Sequence, residues 1–233
     1  MDVIDLHSHI LSGADHGCES TPMSLAQLSM MKDMGTDIVV ATPHFYPNAH
    51  TFEDFNRRVN RALGKLRDAS PSNMPKLCLG AEVLFCENMA DMAELDKLCI
   101  GGTKTMLVEM PFEQLGNRHI ETVEELILAG YTVVLAHIDR YLKHSSHVID
   151  EMLDLGAYAQ INAAAFGSFG TRRRAMRYIK ETDKVVALGS DLHGSNPKDY
   201  KRFSELSGLL GAGFDKIMER SASLLRDAEY VQF

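Results

Sequence analysis

Apolar, β-branched runs of four to nine residues alternate with stretches of helical periodicity along the 233-residue chain. That alternation constrains the fold more than any other feature, because buried strands separated by amphipathic helices build a parallel sheet through crossover connections. The predicted strands are residues 4–7, 37–44, 76–84, 105–110, 132–137, 157–162 and 185–191. Helical spacing covers 21–34, 52–69, 87–98, 119–128, 147–155 and 168–182, and two further helices divided near 211–213 fill 199–228. Seven strand–helix units predict an α/β protein forming one domain over residues 1–233.

Periodicity alone does not separate a closed barrel from an open sheet. The polar residues do: His7, His44, Glu82, Glu109, His137 and Asp191 each fall at the C-terminal end of a predicted strand. Closing the sheet brings those ends together on one face, whereas an open doubly wound sheet spreads them along a crest. The expected architecture is therefore a distorted, TIM-like (β/α)7 barrel with its site at the C-terminal ends of the strands.

Asp5-Leu6-His7-Ser8-His9 opens the chain with two histidines at i and i+2, which a strand presents on one face. In chain order the candidate metal ligands are His7, His9, His16, His44, Glu82, Glu109, His137, Asp191 and His193. Nine such groups exceed what one catalytic ion takes from protein, so two or three divalent ions are implied, with Glu82 the candidate bridge. Singly, Glu82 reads as an exposed strand end, His137 as a satisfied core histidine and Asp191 as a helix N-cap. Their joint placement is what the metal reading explains. His50, His119, His144 and His147 lack it and are expected on the surface.

A formal net charge of −8 argues against nucleic acid as the main ligand. It leaves room for an anionic substrate if metal ions supply positive charge. Asp2 and Asp5 stand where a signal peptide would be basic, and no run approaches the roughly 20 apolar residues of a membrane span. Neither secretion nor membrane insertion is expected, and the default location is the cytoplasm. Cys18, Cys78, Cys86 and Cys99 form no C-x-x-C pair and read as reduced thiols.

His7-Ser8-His9, Thr42-Pro43-His44, Gly80-Ala81-Glu82, Glu109-Met110-Pro111-Phe112, Ala136-His137 with Arg140-Tyr141, and Ser190-Asp191-Leu192-His193 together resemble the PHP (polymerase and histidinol phosphatase) superfamily. More narrowly, the chain is similar to the bacterial metal-dependent protein tyrosine phosphatases encoded with capsule and exopolysaccharide synthesis genes. The resemblance covers essentially the whole chain. It implies the PHP barrel and three metal ions, manganese first, with iron, zinc or magnesium as other choices. It places His7, His9, Glu82 and Asp191 on one ion, Glu82, Glu109 and His137 on a second, and His44, His193 and His16 on a third. It also implies a phosphotyrosine protein substrate, a cognate bacterial tyrosine kinase. Two positions depart from the pattern: Asp15-His16-Gly17 stands where the branch has Asp-Asp-Gly, and Lys198 where it has arginine.

Close divalent ions suit phosphoester hydrolysis, since they activate water and offset developing charge. Arg140 is the candidate clamp for the phosphate oxygens, Lys198 a second cation, and Asp15 or His44 the candidate proton donor to the leaving group. Competing machinery is missing: no cysteine precedes an arginine by six positions, and Gly101-Gly102-Thr103-Lys104-Thr105 lacks the phosphate-loop spacing. The basic run Arg172-Arg173-Arg174 reads first as a solvated helix face and second as a docking patch. The sequence thus predicts a metal-dependent protein tyrosine phosphatase. The alternatives are a small-molecule phosphatase of the histidinol phosphate type and a non-catalytic metal-binding module.

Overall fold

Parallel pairing runs through every strand ladder of the computed structural model, which describes residues 1–69, 73–194 and 197–233. The strands are β1 (Ile4–Ser8), β2 (Ile38–Ala41), β3 (His44–Phe45), β4 (Lys76–Leu79), β5 (Glu82–Leu84), β6 (Thr105–Glu109), β7 (Thr132–Leu135), β8 (Tyr158–Asn162) and β9 (Val185–Gly189). They form two ladders, β1-β2-β4 and β3-β5-β6-β7-β8-β9. These ladders are one ring broken twice. β2 and β3 are successive pieces of a single predicted strand, parted at Thr42-Pro43, where proline offers no amide to the ladder. β4 and β5 are likewise parted at Gly80-Ala81, and Glu82 N to Pro43 O at 3.2 Å ties the two breaks together.

Closure lies between β9 and β1. Asp191 N donates to His7 O at 2.8 Å, His9 N donates to Leu192 O at 3.2 Å, and Ser8 and Leu192 form a parallel bridge. Counting the parted strands once each, the ring has the seven members predicted, and the C-terminal strand ends converge as expected of a barrel.

Helices α1 (Thr21–Asp33), α2 (Phe52–Asp68), α3 (Asn117–Leu128), α4 (Ser146–Leu155), α5 (Phe169–Glu181), α6 (Pro197–Ser204), α7 (Leu206–Leu210) and α8 (Ala212–Leu224) connect and flank the strands. Ser20, Thr51 and Ser168 cap α1, α2 and α5 by accepting a backbone N–H. Gly35, at φ +91°, follows α1 in the left-handed conformation that terminates helices. None of the helices is long and apolar enough to cross a membrane, among the described residues.

Two expectations need correction. Residues 87–98 are not one helix but two short 3-10 turns, Met89–Asp91 and Leu95–Leu98, each entered through a left-handed residue, Asn88 and Glu94. Met89 and Leu95 are both buried, and six residues turn about 240° around an α-helix, so one continuous helix would not bury both on one side. The tail holds three helices, because a second break falls at Glu205 in addition to the expected one at Gly211. Residues 225–233 then run back along β4, with Val231 N donating to Leu77 O at 2.8 Å.

Alternation within β1 sets up the site. Ile4 and Leu6 are fully buried, and the Ile4 amide lies 3.2 Å from Met218 Sδ of α8. Asp5, His7 and His9 share the opposite face and are also fully buried, which an ordinary core does not ask of polar groups.

Candidate metal centre

The strand ends deliver the candidate ligands to one place. His7 and His9 leave β1, His44 opens β3, Glu82 opens β5, Glu109 closes β6, and His137 and Asp191 follow β7 and β9 by two residues. His137 and Asp191 sit at φ +32° and +50°, a region that costs a non-glycine residue on the order of 1–3 kcal/mol unless its surroundings enforce it. Two contacts enforce it here: His137 N donates to Gln160 Oε1 at 2.7 Å and Asp191 N to His7 O. The turn aims both side chains back over the barrel mouth.

Hydrogen bonds at Nδ1 fix how the imidazoles of His7 and His9 point. His9 Nδ1 lies 2.7 Å from Asp15 Oδ2 and His7 Nδ1 lies 3.1 Å from Gln160 Oε1. A carboxylate and an amide oxygen only accept, so each Nδ1 carries the proton and each Nε2 presents a lone pair. Those two lone pairs face each other at 3.1 Å. Glu82 Oε2 lies 3.1 Å from His7 Nε2, 3.2 Å from His9 Nε2 and 3.0 Å from His44 Nδ1, yet makes no hydrogen bond. Imidazole nitrogens and carboxylate oxygens converging this closely form a cation site, to be met by protons or by metal.

Three overlapping groups have ligand atoms within 4.8 Å of one another: His7, His9 and Glu82; His44, Glu82 and Glu109; His9, His44 and His193. Asp191 Oδ1 joins the first, 3.3 Å from His9 Nε2 and 3.7 Å from His7 Nε2. His137 Nε2 joins the second, 2.8 Å from Glu82 Oε1 and 3.5 Å from Glu109 Oε1. Glu82 belongs to two groups, the place of a bridge.

The cluster's charge balance favours cations. Burial resists a charge on His9 and His137, but carboxylates outweigh it: Asp15, Asp191 and Glu82 raise His9 well above the ordinary imidazole value, and Glu109 and Glu82 push His137 up to about 9. Burial likewise resists ionisation of Glu82 and Asp191, yet the neighbouring imidazoles, His7 first, hold both carboxyls well below the usual range. Protons on imidazole and metal ions compete to meet the same demand.

Asp15 differs from its expected role as proton donor. Its Oδ1 accepts from Gly17 N at 2.9 Å and its Oδ2 from His44 N at 3.0 Å as well as from His9. Despite burial, these bonds, His9 first, keep the carboxyl well below the usual range, so it is ionised with both oxygens engaged and orients His9. Asp15→Asn is expected to weaken metal affinity roughly 10- to 100-fold. Competition with a chromogenic chelator measures it, and an unchanged affinity would remove the positioning role.

His16 is exposed and meets the cluster through ring contacts, 4.8 Å from His44 and 5.0 Å from His193 between centroids; His9 takes its place in the third group. The Arg140 guanidinium spans the mouth, paired with Asp191 Oδ2, 3.8 Å from Glu109 Oε1 and 3.1 Å from His137 Nε2. Lys198 is exposed on the first turn of α6, while Arg202, one turn later and not singled out from sequence, lines a cavity with Arg140, Asp191 and His193. Gln160 and Asn162 were also missed. Gln160 Nε2 donates to Asn162 Oδ1 and Asn162 Nδ2 to Asp191 Oδ2, each at 2.8 Å. His119, expected on the surface, is buried against Phe85 and accepts the Gly116 amide at 3.0 Å. Arg172 and Arg173 are exposed on α5 as a solvated face would be.

The model of the capsular polysaccharide synthesis family CpsB/CapC matches residues 3–207. The chain belongs to that family. Tyrosine-protein phosphatase CpsB of Streptococcus pneumoniae is 28% identical over 204 residues, covering 82% of this chain and 83% of its own. Tyrosine-protein phosphatase YwqE of Bacillus subtilis is 25% identical over 205 residues, covering 85% and 80%. Crystal structures of YwqE and CpsB, described as unique metal-dependent tyrosine phosphatases, include one that superposes with a TM-score of 0.82 at 20% identity, covering 99% of this chain and all of that one. A lactonase from Listeria monocytogenes follows at 0.55 and 11%, covering 94% and 91%. These likenesses establish the barrel, and in this chain it carries a His and Glu cluster able to bind metal.

Proposed function

We propose that this chain, acting as a single domain over residues 1–233, is a metal-dependent phosphatase that hydrolyses phosphotyrosine in a protein. One observation carries the reading: Glu82 Oε2, fully buried, faces three imidazole nitrogens within 3.2 Å without a hydrogen bond, beneath an arginine at the barrel mouth. His7, His9, Glu82 and Asp191 would hold one ion, Glu82, Glu109, His44 and His137 a second, and His193 with His9 or His44 a third, with His16 in reach of it. Mixed imidazole and carboxylate donors suit manganese, and also iron or zinc. When bound, the ions supply an activated water and offset charge on the phosphate.

The chain's own residues supply the rest. Asp15 and Gln160 hold His9 and His7 in the tautomer that ligates. Arg140 is placed to bind non-bridging phosphate oxygens through its forked donors. Asp15 has no proton to give, and a phenol of pKa near 10 leaves with less protonic help than an alcohol. Family membership and the named activity of the relatives support a tyrosine kinase that controls capsule or exopolysaccharide synthesis as the substrate. Four unpaired cysteines fit the reducing cytoplasm.

The test strips the protein with a chelator and restores manganese, magnesium, zinc or iron singly, assaying a phosphotyrosine peptide beside histidinol phosphate. Activity should return with metal and favour the peptide. Full activity without metal would overturn the metal centre. A preference for histidinol phosphate would reassign the substrate, and metal uptake without turnover would leave a regulatory module.

A further inference from the structure

Large side chains stand two or three residues behind candidate ligands in sequence: Tyr46 two after His44, Leu84 two after Glu82, and Phe112 three after Glu109. The strand ends that aim the ligands also aim these groups, and all three line a cavity of about 470 Å3 that contains His44, Glu109 and Arg140. Tyr46 stacks on the His44 ring at 5.2 Å and 19° between planes. Phe112 is 77% exposed, yet it does not hang free: the Arg140 guanidinium lies 5.8 Å from its ring and Tyr141 6.3 Å. A large aromatic held upright in water beside a polar cluster gains nothing for the fold, but offers a face to a ligand.

We infer that Phe112 and Tyr46 are specificity-determining residues that take the aryl ring of the substrate between them, so that the centre selects aryl over alkyl phosphomonoesters. This rests on the phosphatase reading. One ester oxygen separates phosphorus from an aryl ring, so a phosphate that reaches the ligand cluster puts its ring level with these walls. A phosphoserine at the same depth brings polar backbone against Phe112 instead, and that backbone loses water without gaining a partner.

The test uses manganese-loaded protein and two non-hydrolysable probes, benzylphosphonate and ethylphosphonate, whose methylene stands where the ester oxygen would be, titrated by calorimetry. The benzyl probe should bind about tenfold more tightly, as expected for ring burial with one aromatic contact. Phe112→Ala should shrink that preference to about twofold and Phe112→Tyr should retain it, since an exposed position tolerates either. In turnover, Phe112→Ala should lower the phosphotyrosine-to-phosphoserine peptide ratio mainly through KM. Equal binding of the two probes by the unmodified protein, or a preference that survives both Phe112→Ala and Tyr46→Ala, overturns the inference. An aryl preference in binding without hydrolysis of any phosphomonoester would overturn the phosphatase reading alone. Equal hydrolysis of both peptides without a binding preference would overturn this inference alone.

Discussion

Glu82→Gln is expected to yield a folded protein that has lost its metal-dependent turnover. The amide fills the same buried volume but replaces one carboxylate oxygen with a donor, and the oxygen at stake lies 3.0–3.2 Å from three imidazoles. A bridge shared by two ligand groups cannot be lost from one alone, so both ions should go, and turnover should fall on the order of 10³-fold or more. Binding to the native state alone stabilises it by mass action. At a cation concentration of 100 Kd the unmodified protein gains about 2.7 kcal/mol, roughly 5–10 °C in Tm for a domain of this size. The variant should lose most of the metal-induced shift while its far-ultraviolet circular dichroism stays that of the parent. A variant that keeps both the shift and the turnover would show that Glu82 bridges nothing.

Glu82 was legible in the sequence because a carboxylate ending an apolar strand is out of place in one dimension already. The same holds for His7, His44, Glu109, His137 and Asp191, and it is why the barrel could be read from where polar residues interrupt strands. What remained hidden depends on neighbours distant in sequence. Gln160 and Asn162 look like ordinary polar strand residues until the β7-β8-β9 order places them beneath His137, His7 and Asp191. The available signal was two amides at i and i+2 in a strand expected to be buried. Gly189 is similar: a Cβ there would lie 2.6 Å from both His7 Cβ and Gln160 Nε2, a close approach created only when β9 closes on β1. The 3-10 turns of residues 89–98 escaped for the opposite reason, since their composition is helical and only the burial of Met89 and Leu95 breaks the helix.

Removing the arginine at the mouth should separate binding of metal from catalysis. Arg140 contacts Asp191, Glu109 and His137, all candidate ligands, and it is the one permanently charged cation among the described residues lining the aromatic cavity. Under the proposed function it would compete with metal ions for the carboxylates while also binding phosphate. Arg140→Ala should lower kcat/KM on a phosphotyrosine peptide by roughly 10²- to 10³-fold, the loss usual for one donor aimed at developing oxyanion charge. Affinity for the cation should move the other way, several-fold tighter, because a positive charge next to the ligands is gone. Arg140→Lys should restore the charge and the weaker metal affinity but only part of the rate, since an ammonium lacks the planar fork that meets two phosphate oxygens at once. Steady-state kinetics beside a chelator competition reads both quantities. If Arg140→Ala loses metal and activity together, the guanidinium is a structural support for the ligands and the phosphate must be gripped elsewhere, with Arg202 the first residue to substitute next.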